Sequence, residues 1–377
     1  MSIYVRAFAC PPKYYQGPGL FSRLGELTKD LGESAFVVIS PSLANKQTPI
    51  LHEIFASEGR NIKIEIFRGQ TTRQECERLT KLSEGFDMVI GIGGGKVLDS
   101  AKYAGIYNNA KIIMVPTVVS TDAPTSALSA TYTESGEHAG SIYYKRNPDV
   151  IIVDSDIIMN SPERYFVSGM GDALSTYFEA KAHVETCTKN RVGEGYKTSL
   201  AAMNLSELCF HTLMRCGKQA LSDFRNGLCS EAVEDVIEAN TLLSGIGCES
   251  AGCATAHSLN SGFSALWQCH KSTHGEIVAF STLCELVIEN YSREMIDNVF
   301  DFCMSVGLPI TLAEIGVDKS DHTSLVKVAE KARTTKHIAA VPADTSVDNL
   351  ITGILKADEI GEEKRKSLNP TKKAVGN

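Results

Sequence analysis

The run Met88-Val89-Ile90-Gly91-Ile92-Gly93-Gly94-Gly95-Lys96-Val97-Leu98-Asp99-Ser100-Ala101-Lys102 decides the fold, because it reads as a strand, a glycine turn and a helix in succession. Three consecutive glycines carry no Cβ, so main-chain N–H groups there can approach a bound anion closely. A helix beginning near Lys96 adds orphan N–H donors and a positive dipole end, and the combination is a phosphate cradle. Neither familiar glycine signature fits. Gly-x-Gly-x-x-Gly requires glycine where Lys96 stands, and a Walker A loop requires Ser or Thr at Val97 and glycine at Ile90. The competing structural reading is a tight turn with close helix packing, which the same glycines would serve.

Outward from this run, apolar segments alternate with helix-length stretches: Phe36 to Ile39, Ile62 to Ile66, Met88 to Ile92, Ile112 to Val115 and Val150 to Val153. That alternation predicts parallel βαβ units in a Rossmann-like, doubly wound sheet covered on both faces. Ligands in such sheets sit beyond the carboxyl ends of the strands. The ends to inspect are Ser40-Pro41, Gly91 to Gly95, and Pro116 to Asp122, the last followed by Thr125 and Ser126. Tyr132 to Tyr143 is predicted to form a hairpin around Glu134-Ser135-Gly136-Glu137. After Ser161-Pro162, a good helix opening, long helical periods replace the strands. The expected organisation is an α/β domain over 1–161, an all-helical domain over 162–363, and a basic, disordered tail over 364–377.

A length of 377 residues exceeds the usual size of one core, which agrees with two domains. No apolar run approaches the roughly 18 residues needed to span a bilayer. The net charge of -8 argues against nucleic acid or an anionic membrane as main partner, since both demand a basic face. The eleven cysteines contain no Cys-x-x-Cys pair and read as reduced core residues. Met1 to Phe8 is too polar for a secretory signal, so the expected location is cytoplasmic.

Most of the nine histidines lie singly in amphipathic helical context and suit structural or surface roles. His257, His270 and His274 differ, because their neighbours are small and leave space for something other than packing. His270 and His274 are spaced to share one helical face, although the pairing of His257 with His274 is the stronger reading. Asp172, in Gly169-Met170-Gly171-Asp172-Ala173, adds a carboxylate that reads equally as a ligand or as an N-cap.

Taken together, Gly91 to Lys96, the block Ser120-Thr121-Asp122-Ala123-Pro124 with Ser126 to Ser129, Gly171-Asp172-Ala173, Ala256-His257 and His274-Gly275-Glu276 resemble the glycerol dehydrogenase branch of the metal-dependent alcohol dehydrogenases, often called iron-containing or type III. The resemblance runs from about Tyr14 to Leu355. It implies an amino-terminal dinucleotide-binding domain, a helical metal- and substrate-binding domain, and an active site in the cleft between them. Zinc ligands fall by motif position on Asp172, His257 and His274, and His270 becomes a substrate-side catalytic candidate. Cofactor contacts fall on Gly93, Gly94, Gly95 and Lys96 at the pyrophosphate, and on Thr117, Ser120, Ser126, Leu128 and Tyr132 toward the nicotinamide. Asp122 matches a contact to a substrate hydroxyl. The implied reaction moves hydride between the secondary hydroxyl of glycerol, or a related vicinal diol, and NAD(P), giving dihydroxyacetone or another hydroxyketone. A homo-oligomer, as large as an octamer, is also implied.

Ser40 stands where the family commonly has Asp at the adenosine ribose, which admits NADP beside the expected NAD. Iron-using relatives carry histidine four residues after the aspartate, and Thr176 occupies that position, which favours zinc. Asn260 replaces a further histidine of several relatives without loss of a ligand. Two enzymatic alternatives share the architecture, a glycerol-1-phosphate dehydrogenase and a dehydroquinate synthase. A phosphorylated substrate would need several basic side chains near the metal, and the motifs there offer little beyond Lys271. An alternative of another class, a non-catalytic cofactor-binding module, conflicts with the intact Asp172, His257 and His274 set.

Overall fold

A computed structural model describes residues 5–136 and 138–368. Six parallel strands form the main sheet in the order Lys13–Gly17, Val150–Asp154, Lys111–Pro116, Met88–Gly93, Ser34–Ile39, Asn61–Ile66. Five of these are the predicted runs. The sixth, Lys13–Gly17, pairs with Val150–Asp154 at one edge, and its only partly buried pattern KYYQG carries no apolar run to announce it.

Side chains alternate across the sheet as a pleated strand requires. Ala35, Val37, Ile39, Met88, Ile90 and Ile92 point to one face, where Leu51 and Phe55 of the helix Pro41–Ser57 cover them. Phe36, Val38, Val89, Ile112, Met114 and Ile151 point to the other and join a core that continues into the helical half as far as Ile360. Both faces of the four central strands are therefore dry, which is why those strands read as unbroken apolar runs, whereas the edge strand Asn61–Ile66 alternates.

The predicted hairpin forms, with Leu128–Tyr132 antiparallel to His138–Tyr143. From Glu163 onward helices dominate, and the only strand among the described residues there is Lys197–Thr198, paired with Arg6–Ala7. The expected break at 364 is corrected by the structure. The last helix runs Val347–Leu368, and Lys364 holds it down by pairing with Asp301 at 2.7 Å and Asp297 at 3.1 Å. The basic composition that suggested a tail instead supplies partners for acidic residues on neighbouring helices. Residues 369–377 of the predicted tail lie outside the described residues.

Candidate active site

Asp172 lies within the helix Glu163–Thr186, well past its first turn, so its reading as an N-cap fails. Its neighbour Gly171 faces Gly275, and a Cβ on Gly171 would stand 2.3 Å from the Gly275 carbonyl oxygen. Only glycine permits this approach, which brings the Asp172 helix against the start of the helix His274–Ile288. The small residues flanking Asp172 and His274 thus serve backbone contact rather than open space. A capping box on Thr273 and Glu276 fixes where the second helix begins, and so where His274 points. His257 enters from the helix Thr255–Phe263.

These three side chains converge. Asp172 Oδ1 is 3.2 Å from His274 Nε2 and 3.6 Å from His257 Nε2. Ligand atoms about 2.1 Å from a tetrahedral zinc stand roughly 3.4 Å from one another, so the spacing fits one ion with three protein ligands. Side-chain exposure rises from 3% at Asp172 through 17% at His257 to 40% at His274, which leaves the position open on the His274 side. Burial alone would raise the Asp172 pKa, but the imidazoles of His274 and His257 hold the carboxyl well below its usual range.

Glu179 completes the arrangement from two turns further along the Asp172 helix. Its Oε2 accepts from His257 Nδ1 at 2.7 Å, while Oε1 accepts from the backbone N–H groups of Ala254 at 2.7 Å and His257 at 2.9 Å. The Nδ1 hydrogen bond leaves Nε2 with its lone pair toward Asp172 and His274, as a metal ligand requires. Cys253 also stands near Glu179 and His257, but the imidazole nitrogen on that side is committed to the carboxylate.

The glycine turn sits at the carboxyl end of the strand Met88–Gly93, beside Ser40, whose N–H donates to the Ile92 carbonyl. A Cβ on Gly91 or Gly93 would meet Ala101 or Val97 at 2.8 and 2.6 Å, so those two glycines serve close helix packing. Gly94 and Gly95 differ. The helix Gly95–Tyr107 begins there with no side-chain cap, and the nearest neighbours of an added Cβ are Val118 at 3.3 Å and Ala123 at 3.4 Å, across the turn. The uncapped N–H groups fit a phosphate. Lys96 Nζ lies 5.2 Å from the centre of the Tyr132 ring, which brings two of the predicted cofactor contacts together. Burial lowers the Lys96 pKa.

The loop that follows Pro116 spans the gap between these two sets. Thr117 N donates to the Gly93 carbonyl at 3.1 Å, Ser120 O accepts from Ser168 at 3.3 Å, and the hydroxyl of Ser126 is buried without a hydrogen-bond partner among the described residues. Leu128 begins the hairpin. Burial, with the negative charge of Asp172 next, raises the Asp122 pKa.

Comparison with known proteins agrees with this geometry. Residues 11–155 match the family model described as iron-containing alcohol dehydrogenase. A glycerol dehydrogenase of Citrobacter freundii is 39% identical over 363 residues, covering 95% of this chain and 99% of that one. The chain belongs to the iron-containing alcohol dehydrogenases. A glycolaldehyde reductase of Halobacterium salinarum is 38% identical, covering 95% of this chain and 98% of its own. The crystal structure of a probable glycerol dehydrogenase from Sinorhizobium meliloti superposes with a TM-score of 0.90 at 38% identity, over 95% of this chain and 99% of that one. This member of the family is an enzyme, an oxidoreductase with a candidate metal site.

Within this alcohol dehydrogenase, the structure does not bring every predicted residue to the triad. His270 is exposed in the short helix Trp267–Lys271, edge-on to Trp267 with ring centres 5.1 Å apart, and makes no hydrogen bond or ion pair among the described residues. Sequence reasoning missed Glu179, although its place seven residues after Asp172 put both carboxylates on one helical face. It also missed Lys102, whose buried ammonium pairs with Asp99 at 2.9 Å and donates to the carbonyls of Ala123, Ser126 and Leu128. No signal in a single lysine of an amphipathic helix could have shown that contact.

Proposed function

We propose that this enzyme is a zinc-dependent glycerol dehydrogenase that oxidises the secondary hydroxyl of glycerol, or a related vicinal diol, with NAD, and that Ser40 admits NADP. The observation that carries the proposal is the convergence of Asp172, His257 and His274 at the spacing of a three-ligand zinc site open on one side. Zinc bound there would polarise the substrate's oxygens and NAD would accept the hydride.

The chain's own residues do the rest. Asp172, buried and held ionised, supplies the negative charge that favours a divalent cation. Glu179 holds His257 in the tautomer that presents Nε2. Gly94, Gly95 and Lys96 bind the pyrophosphate, with Ser40 at the adenosine ribose and Thr117, Ser120, Ser126, Leu128 and Tyr132 lining the way to the nicotinamide. Asp122 accepts a substrate hydroxyl and so chooses which carbon faces the nicotinamide. Among the described residues, the ion-pair partners of the triad include no lysine or arginine, which favours a neutral substrate over a phosphorylated one. The similarity to a glycolaldehyde reductase fits the same chemistry, since a 2-hydroxyaldehyde presents two vicinal oxygens.

A screen of diols and hydroxyketones against both cofactors, followed at the absorbance of the reduced nicotinamide, tests the proposal. Activity with glycerol that disappears on chelation and returns with zinc is the expected result. Activity indifferent to chelation, or restored by iron and not by zinc, overturns the metal assignment. Asp122→Asn should raise KM for the diol while metal content stays intact, and loss of bound zinc would place Asp122 among the ligands instead.

A further inference from the structure

Two thiols outside the proposed chemistry face each other behind the metal site. Cys248 Sγ and Cys253 Sγ are 3.2 Å apart, and no disulfide joins them. Cys248 lies near the end of the helix Ser244–Ser250, and Cys253 lies in the turn that leads to the helix carrying His257. Both are almost fully buried, at 8% and 1% exposure. Arg191 Nη1 donates to Cys248 Sγ at 3.2 Å, which places a cation against the sulfur that carries negative charge as it attacks an oxidant.

We infer that Cys248 and Cys253 form an oxidative modification site, a dithiol that closes to a disulfide under peroxide. The sulfur of Cys248 attacks one oxygen of hydrogen peroxide, the O–O bond breaks, and water leaves as the sulfenic acid forms. The sulfur of Cys253 then attacks that sulfur, the S–O bond breaks, and a second water leaves as the S–S bond forms. Two thiols together lose two electrons and two protons, and peroxide is reduced to two waters.

Closure requires the sulfurs to approach from 3.2 Å to about 2.05 Å. That approach draws on a turn with a task. The Cys253 carbonyl accepts from His183 at 3.0 Å, and the next residue, Ala254, donates its N–H to the Glu179 oxygen that also accepts from His257 N–H. The turn has little slack, since a Cβ on Gly252 would stand 2.3 Å from the His183 ring. Oxidation therefore displaces the carboxylate that orients His257, and activity should fall by roughly tenfold, the low end for disturbing such a partner.

The activity readout rests on the proposed function, whereas the crosslink is read by mass and does not. Holoenzyme is treated with hydrogen peroxide, remaining thiols are blocked with N-ethylmaleimide, and peptides are mapped before and after reduction with dithiothreitol. The expected result is a crosslinked peptide pair bearing Cys248 and Cys253, with activity lost in step and regained on reduction. Cys248→Ser and Cys253→Ser should each keep basal activity and lose the reversible inactivation. Absence of that crosslink in the wild-type map overturns the inference, even if a serine variant fails to fold. So does a reversible loss that follows the exposed Cys10 or Cys187 or that persists in both serine variants.

Discussion

Replacing Glu179 by Gln separates metal orientation from simple packing, because the two side chains have nearly the same shape. Glu179 Oε1 serves two backbone N–H donors and Oε2 serves His257 Nδ1. A glutamine can keep its oxygen on the backbone donors, which leaves its NH2 group facing the imidazole N–H. Two donors then oppose each other, unless the proton of His257 moves to Nε2, and Nε2 is the atom that faces Asp172. Either outcome weakens the site. A buried group left unpaired costs about 1–3 kcal/mol, and partners that orient a metal-binding histidine are worth about 10–100-fold in affinity, roughly the same range.

The assay is competition for zinc against a chelator of known affinity, with a parallel titration of activity by added zinc. Glu179→Gln should bind zinc about 10–100-fold more weakly and regain most of its turnover when zinc is in excess. Thermal unfolding of both proteins under chelation controls for damage to the fold. Unchanged zinc affinity in a folded variant would refute the reasoning, as would lost turnover that excess zinc fails to restore.

Three further substitutions probe the surrounding structure. Ser40→Asp should abolish use of NADP and preserve use of NAD, because a carboxylate binds the ribose 2′-hydroxyl and repels a 2′-phosphate; an unchanged ratio of kcat/KM for the two cofactors would remove Ser40 from the ribose site. Lys102→Met leaves Asp99 buried without its cation, a loss of about 3–5 kcal/mol read from the urea midpoint, and a loss under about 1 kcal/mol would mean the pair ties nothing together. Burial pushes the Glu289 pKa from the ordinary carboxylate range up to about 8, so the folded protein keeps a proton that the unfolded chain releases. Stability therefore falls as pH rises from about 5 to about 8, by no more than about 1.4 kcal/mol per unit, and Glu289→Gln should flatten that slope in thermal melts; parallel slopes would refute it.

Four strands of the sheet were legible because each is buried on both faces and needs an unbroken apolar run, and Asn61–Ile66 was legible from the alternation of Ile62, Ile64 and Ile66 with Lys63 and Glu65. The edge strand Lys13–Gly17 was not, since Lys13, Tyr14, Tyr15 and Gln16 satisfy its half-covered position without one. At the site, the sequence showed which residue types could bind a metal but not why they meet. Gly171 and Gly275 look like flexible spacers and act as the contact that joins two helices. Cys248 and Cys253 show no familiar spacing, and only the turn at Gly252 brings their sulfurs together. Lys364 to Leu368 misled for the opposite reason, because a basic, polar segment reads as solvated until the acidic residues opposite it are known.

The loop from Pro116 to Ser129 is held by directional bonds from both sides, a restraint that bears on the proposed hydride transfer. On the cofactor side, Lys102 gathers the carbonyls of Ala123, Ser126 and Leu128. On the helical side, Asn240 Nδ2 donates to Val119 O at 3.3 Å and Phe166 O at 3.1 Å, and Thr241 O accepts from Thr125 at 3.0 Å. Asn240 and Thr241 sit in a π-helical turn, Ala239–Leu243, where the wider winding interrupts the usual ladder and frees groups for such contacts. Glu249 adds a bond to Ala127 N at 3.2 Å. Apolar packing tolerates small slips, whereas these bonds fix Asp122 and the proposed nicotinamide-facing residues against the proposed phosphate turn and metal ligands at once. A reaction whose rate depends on placement to within about an ångström needs that double restraint, so loosening either side should slow turnover before it unfolds the protein.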